Sequence, residues 1–263
     1  MIIDAHLHTW DTAEVGIGWL AAAGLPPRAP IPDDTGARRY VLVEAAADER
    51  WHETEWLLAL ARRDGRVHGV VAAAALDGPR TAAELDQLAD TAEVVGVRRL
   101  LQDGHPFEPP GLLEGLRILA DRAMPFDACV RAHELPALTR LLDRVPELVV
   151  VLDHMGKPPV RDREAMRRWE SDLAEVAELP NVYCKLSGLA AECRDDTELD
   201  SVTDHVVGRA LEVFGAGRCL VGSDRPVSQT SLDWCERVLG LVPDADRARV
   251  AHDNAAAIYR RTR

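Results

Sequence analysis

The sequence lacks several features that mark specialised classes of protein. None of its stretches is apolar over the length that a membrane helix needs, and its first residues show no basic segment followed by an apolar run and a small-residue cleavage site. We therefore expect no association with a membrane and a cytoplasmic location. The five cysteines form no CxxC pair, which predicts reduced thiols rather than a disulfide framework or a zinc knuckle.

Basic residues are also in deficit. The chain has 31 Lys and Arg against 44 Asp and Glu, a formal net charge of −13. Such a surface repels a phosphate backbone, so nucleic acid is not an expected partner. An anionic ligand would need a local cluster of cations, and a small molecule is the partner that we expect. The oligomeric state has no signature in the sequence.

Two common catalytic motifs are missing. A GxGxxG turn, which would indicate a dinucleotide-binding fold, does not follow the first apolar run. Ser187 and Ser223 lie outside any GxSxG elbow, which argues against a serine nucleophile.

Apolar runs of strand length recur eight times, from "MIIDAHLH" to "RCLVGSD", with helical periodicity in the segments between most of them and after the last. Continuous apolar strands that alternate with helices indicate a parallel sheet covered by helices. Eight such units favour an α/β protein of the (β/α)8 TIM barrel type over an open doubly wound sheet, with residues 1–263 as a single domain. A Gly- and Pro-rich segment after the first strand predicts a long loop with at most a short helix.

Polar residues cluster where the predicted strands end. Chemistry in such barrels gathers at the carboxyl ends of the strands, and closure places the first and eighth strands side by side. We therefore expect the polar groups at these ends to converge. Strict alternation further predicts that Asp4, His6 and His8 share one face of the first strand. The residues at the strand ends are His6, His8, Glu44, Arg98, Arg99, Asp153, His154, Lys185 and Asp224.

Each of these motifs alone has an ordinary structural interpretation. "HLH" is typical of a hydrogen-bonded pair, "DH" before glycine of a turn, and "GSD" of a helix cap. Their occurrence at the same end of separate strands favours a site. Neutral imidazoles and a carboxylate bind zinc or a similar divalent ion, and a carboxylate also serves as a general base. Either arrangement hydrolyses an ester, a lactone or an amide.

The motifs "DAHLHTWD", "GVRRLLQD", "VVLDHMGKPP", "NVYCKLSGL" and "FGAGRCLVGSDRPV" resemble those of the amidohydrolase superfamily, in its branch of sugar-lactone and 2-pyrone-4,6-dicarboxylate lactonases. The resemblance implies that His6, His8 and His154 form the histidine set, as metal ligands or catalytic groups, and that Asp224 activates water. It implies substrate contacts by residues around Arg98, Lys185 and the long first loop as well. From their positions in the chain, Arg225, Trp10 and His105 are also expected to contact the substrate.

Three departures from this family pattern bear on the site, the first on the pocket wall and the other two on the metal. Arg225 replaces the tryptophan of the usual "GSDWPV", the fifth strand "PFDACV" ends without a histidine or lysine, and Glu44 adds a carboxylate that could be a further ligand. Two alternatives therefore stay open. The histidines and Asp224 hold a divalent ion, with zinc as the first choice, or the histidines hydrogen-bond the substrate carbonyl directly.

The sequence thus predicts a hydrolase of carbohydrate metabolism that opens the lactone ring of a sugar acid or a related carboxylated lactone. One alternative is a metal-dependent amidase or decarboxylase on the same scaffold, since a fold hosts several reactions. Another is a ligand-binding barrel without catalysis.

Overall fold

The computed structural model describes residues 1–33, 38–102 and 111–260. Eight strands form one sheet in which neighbours along the chain pair in parallel. The predicted (β/α)8 barrel is confirmed, while its extent over all of residues 1–263 stays a prediction. The strands are β1 Ile2–Leu7, β2 Arg38–Val43, β3 Val67–Ala73, β4 Val94–Leu100, β5 Phe126–Cys129, β6 Val150–Leu152, β7 Val182–Leu186 and β8 Cys219–Val221.

Helices follow the second to the eighth strands and cover the outside of the barrel. Leu-rich faces such as that of the helix Leu135–Leu142 pack against the outward side chains of the strands. The helices are α1 Arg50–Arg63, α2 Thr81–Ala89, α3 Leu112–Asp121, α4 Leu135–Leu142, α5 Arg163–Ala177, α6 Leu189–Glu192, α7 Asp196–Phe214, α8 Trp234–Leu239, α9 Asp244–Ala248 and α10 Asn254–Ile258.

The first strand is followed by a loop instead of a helix. Between residues 8 and 33 the chain forms turns and a two-stranded antiparallel ribbon of Trp10–Asp11 with Arg28–Ala29, without the short helix that the sequence allowed. Apolar side chains of the loop, among them Val15, Ile17 and Leu20, form a separate buried cluster. The loop is therefore a packed structure beside the mouth of the barrel.

Small and branched side chains fill the barrel interior. Ile3, Val41, Val71 and Leu220 belong to an inner apolar cluster, in which the C-terminal Tyr259 is also fully buried. The helix α10 thus carries an aromatic side chain into the floor of the barrel. No helix among the described residues is long and apolar enough to cross a membrane.

A bulge in β1 changes which side chains face inward. Between the register pairs Asp4–Tyr40 and Leu7–Leu42, β1 advances three residues where β2 advances two. Asp4 therefore lies on the outer side, where its carboxylate accepts from the backbone N–H groups of Ser223 (2.8 Å) and His6 (3.2 Å). The prediction that Asp4 shares a face with His6 and His8 is wrong, because simple alternation does not hold across a bulge.

The barrel closes between β1 and the residues that follow β8. The backbone N–H of Asp224 donates to the carbonyl of His6, and that of His8 donates to the carbonyl of Arg225, both at 2.8 Å. Leu7 and Arg225 form a parallel bridge at the same place. The seam therefore joins the two ends of the chain that carry the predicted site.

Candidate active site

His6 and His8 point their imidazoles at a common position above the barrel interior. Their Nε2 atoms lie 3.2 Å apart, and both side chains are buried. Nδ1 of His8 lies 2.9 Å from the carbonyl oxygen of Val43, so this nitrogen carries the proton and donates it. Nε2 of His8 is then left with a lone pair toward the common position.

His154 reaches the same position from a left-handed turn after β6. Residues 154–157 all have positive φ, between 53° and 68°, which is strained for the three residues that are not glycine. Nδ1 of His154 lies 2.9 Å from Oγ of Ser187, and a Cβ at Gly188 would come within 2.3 Å of that same nitrogen. The turn directs the imidazole to this position, and the missing side chain at Gly188 leaves room for it.

Asp224 completes the cluster from the residues after β8. Its Oδ1 lies 3.4 to 3.8 Å from the Nε2 atoms of all three histidines. Its Oδ2 accepts a hydrogen bond from Oγ of Ser228 at 2.7 Å. Among the described residues Oδ1 has no hydrogen-bond partner although it is buried, which is costly unless a further group binds there.

Burial and charge set the protonation of this cluster. Burial lowers the pKa of His154 to about 4 and lowers the pKa of His6 well below its usual value, with the charge of Lys185 adding to the effect at His6. Burial raises the pKa of Asp224, but the neighbouring histidines outweigh it and hold that pKa below the usual range. At neutral pH His6 and His154 are therefore neutral imidazoles and Asp224 is an ionised carboxylate.

This donor set fits a divalent ion. His6, His154 and Asp224 offer ligand atoms that lie within 4.8 Å of one another, and Nε2 of His8 lies beside them. Four donors arranged tetrahedrally around zinc at its usual bond lengths are about 3.3 Å apart, close to the separations of 3.2 to 3.8 Å here. The buried Oδ1 without a partner faces the centre of the set.

A second group of donors is less suited to a cation. Cys129, Asp153 and His154 also lie within 4.8 Å of one another. Asp153, however, already lies 3.0 Å from Nζ of Lys185 and 3.7 Å from a guanidinium nitrogen of Arg98. These two charges would repel a metal ion, so we place none there.

A cavity of about 280 Å³ opens above the cluster. Arg98 lines it and is nearly buried, with its Nε donating to Oε1 of Glu44 at 2.5 Å. Five further residues line the cavity, of which Trp19 has the position near the first strand's end that favours the mouth, while the other four lie on loops, a short helix or a strand end without a marked motif. These five are Trp19, Gln102, Cys129, Lys157 and Glu192.

The structure places other predicted substrate contacts away from this cavity. Lys185 is fully buried beneath His6, where its ammonium contacts Asp127 and Asp153. Trp10 is buried in the loop cluster, and its Nε1 donates to the carbonyl of Pro26 at 2.9 Å. The lining therefore includes neither of these side chains.

Three further predictions have different outcomes. Arg225 is exposed and does not line the cavity. Glu44 pairs with Arg98 and is not part of either donor group among the described residues. His105 lies outside the described residues.

Known proteins are similar to this chain over almost its full length. A family model described as amidohydrolase matches residues 3–261. An L-fucono-1,5-lactonase from Burkholderia ambifaria is 34% identical, and the match covers 98% of this chain and 95% of the relative.

Two solved structures of an amidohydrolase from Burkholderia multivorans are also similar. One, with bound Hepes, has a TM-score of 0.87 at 29% identity, and the other, with bound zinc, has a TM-score of 0.85 at 28% identity. Each match covers 98% of this chain and 99% of the other. With a matching family model over almost its full length, the chain belongs to the amidohydrolase family.

Proposed function

We propose that this protein is a hydrolase that opens the lactone ring of a sugar acid, with Asp224 as the general base. The observation that carries the proposal is the convergence of three imidazoles on Oδ1 of Asp224, with His8, His154 and Asp224 lining one cavity. The similarity to an L-fucono-1,5-lactonase supports the substrate class.

Hydrolysis of a lactone needs a base that activates water, a group that polarises the carbonyl and a cavity that holds the ring. Asp224 Oδ1 takes a proton from water, because the carboxylate is ionised and this oxygen accepts no hydrogen bond from the described residues, while Ser228 holds Oδ2. His6, His8, His154 and Asp224 would hold a divalent ion, zinc by analogy with the relative that binds it. Bound there, the ion supplies a Lewis acid for the carbonyl oxygen.

The cavity wall favours a polyhydroxylated ring over a dicarboxylate. The guanidinium of Arg98 is paired with Glu44, so its charge is already compensated. The guanidinium of Arg98 offers hydrogen-bond donors to hydroxyl groups, and Trp19 offers an apolar face. A substrate with two carboxylates would need two cations that no carboxylate already pairs, whereas the described lining offers one, Lys157.

Turnover of a lactone panel tests the proposal. Aldono-lactones, with L-fucono-1,5-lactone first, are offered to wild-type protein, to Asp224→Asn and to Asp143→Asn, whose side chain is exposed and distant. We expect hydrolysis by wild type and by Asp143→Asn, and a loss of about 10²- to 10⁴-fold in kcat for Asp224→Asn. Hydrolysis of amides without lactones, or release of CO2 from aromatic acids, would instead support the alternative chemistries.

A further inference from the structure

Lys157 lines the cavity, and the proposed reaction gives it no task so far. It follows His154 by three residues, and its backbone N–H donates to the carbonyl of His154 at 2.8 Å. The left-handed turn of residues 154–157 therefore places the base of this side chain next to a histidine of the site.

The choice of lysine at this position is unusual for the chain. Lys157 and Lys185 are its only two lysines, and all its other strongly basic side chains are arginine. A guanidinium stays protonated, whereas an ammonium can release a proton. Lys185 is fully buried between Asp127 and Asp153, which leaves Lys157 as the one ammonium at the cavity wall of the described residues.

The surroundings of Lys157 leave its charge uncompensated. Its Nζ donates a hydrogen bond to Oε1 of Gln102, a neutral amide. Within the part of the chain that the structure describes, no carboxylate lies within 4 Å of this nitrogen, in contrast to the cations of Arg98 and Lys185. Its charge also contributes to the lowered pKa of His154, although burial is the main cause there.

We propose that Lys157 donates a proton to the ring oxygen of the lactone as the ring opens, an inference that rests on the proposed function. The water oxygen bonds to the carbonyl carbon while Asp224 takes the water proton. The bond between that carbon and the ring oxygen then breaks, its electron pair stays on the oxygen, and this oxygen takes a proton from Nζ of Lys157. The proton on Asp224 is afterwards exchanged through solvent, which restores the ammonium and the carboxylate.

Chemical rescue of a truncated side chain separates this role from a purely electrostatic one. Lys157→Ala should lose about 10²- to 10⁴-fold in kcat on L-fucono-1,5-lactone. Methylammonium, which carries protons to donate, should restore part of the rate. Tetramethylammonium has the same charge without such protons and should not. Arg161→Ala, a nearby exposed cation, should keep full activity.

Lys157→Arg provides a second variant that keeps the charge, and it should be as impaired as Lys157→Ala. Thermal melting of both variants checks that they fold, and the conclusion is drawn from Lys157→Arg if Lys157→Ala does not. Full activity of Lys157→Arg, or rescue by both ions or by neither, overturns the inference. Wild-type protein that opens no lactone contradicts the proposed function instead.

A readout without turnover is also available. Because Lys185 is buried, an amine-selective acylating reagent should label Lys157 and the exposed N-terminus only. L-fuconate, the open product, should protect Lys157 and leave the N-terminus reactive. Equal labelling of Lys157 with and without the acid overturns its placement at the bound ring.

Discussion

The hydroxyl of Ser228 lies 2.7 Å from Oδ2 of Asp224 and holds one oxygen of this carboxylate, while the other oxygen faces three imidazoles. The two oxygens of Asp224 therefore have separate tasks. Ser228 follows Asp224 by four residues, and its own backbone N–H bonds to the carbonyl of Asp224 at 2.8 Å, so one turn of backbone sets both groups.

Replacement of Ser228 by alanine should lower activity without unfolding the protein. The carboxylate of Asp224 would lose the donor that fixes its orientation, and loss of such a supporting hydrogen bond at a metal or catalytic carboxylate typically costs 10- to 100-fold. Steady-state kinetics on L-fucono-1,5-lactone measure the loss, with Ser201→Ala on the outer helix α7 as the control. Unchanged kcat in Ser228→Ala would show that Oδ2 needs no partner.

Zinc should stabilise the folded protein through the histidine cluster. A ligand at 100 times its dissociation constant adds about 2.7 kcal/mol to the free energy of unfolding, which differential scanning fluorimetry detects as a higher Tm. His154→Asn should lose this shift, and His205→Asn, an exposed histidine on α7, should keep it. An equal shift in both variants would place the ion elsewhere.

The stability of the protein should depend on pH through Asp4. Burial raises the pKa of Asp4 from 3.8 to about 6, so the folded state holds this proton more tightly than the unfolded chain. The free energy of unfolding therefore falls as pH rises from about 4 to about 6, by at most about 3 kcal/mol from this group.

The Asp4→Asn variant isolates this contribution, because an amide oxygen still accepts from the two backbone N–H groups. Denaturant titrations should find Asp4→Asn more stable than wild type at pH 7.5 and equal to it at pH 4. The exposed Asp143→Asn should show no such difference. A variant that is less stable than wild type at pH 7.5 would contradict the sign argued here.

The two tryptophans of the first loop should respond differently to substitution. Trp19 lines the cavity while its Nε1 donates to the carbonyl of Ala45 at 2.8 Å, so Trp19→Phe should raise KM several-fold. Trp10 is buried with its Nε1 bonded to Pro26, so Trp10→Phe should cost about 1 to 3 kcal/mol of stability and leave KM unchanged. Kinetics and denaturant titrations of both variants make the comparison, and matching effects would contradict it.

The strand ends could be predicted from the sequence, because each apolar run of strand length ends in polar residues and helical segments separate most of these runs, as in a parallel barrel. His6, His8, His154 and Asp224 were found in this way, and the structure brings them together. Asp4 was assigned to the wrong face, since a bulge depends on pairing with β2 and leaves no mark in a single strand.

The depth of a side chain inside the barrel and the geometry of the loops were harder to predict. Lys185 is in a site strand, but position along a strand does not say how far inside the barrel a side chain lies, and Lys185 lies beneath His6. Trp10 and Trp19 belong to one loop whose packing decides which of them reaches the cavity. Ser228 and Lys157 depend on turn conformations that residue types alone do not specify.

The seam between β1 and the residues after β8 sets an order of events in folding. During synthesis of the chain His6 and His8 are added early. Asp224, and Tyr259 in the inner apolar cluster of the barrel, are added near the end. Contacts between residues so distant in sequence form late, because a long loop must first be closed. A nascent chain that ends before β8 thus carries two histidines of the donor set without their carboxylate, so the complete site can take up its ion only after synthesis has passed Asp224.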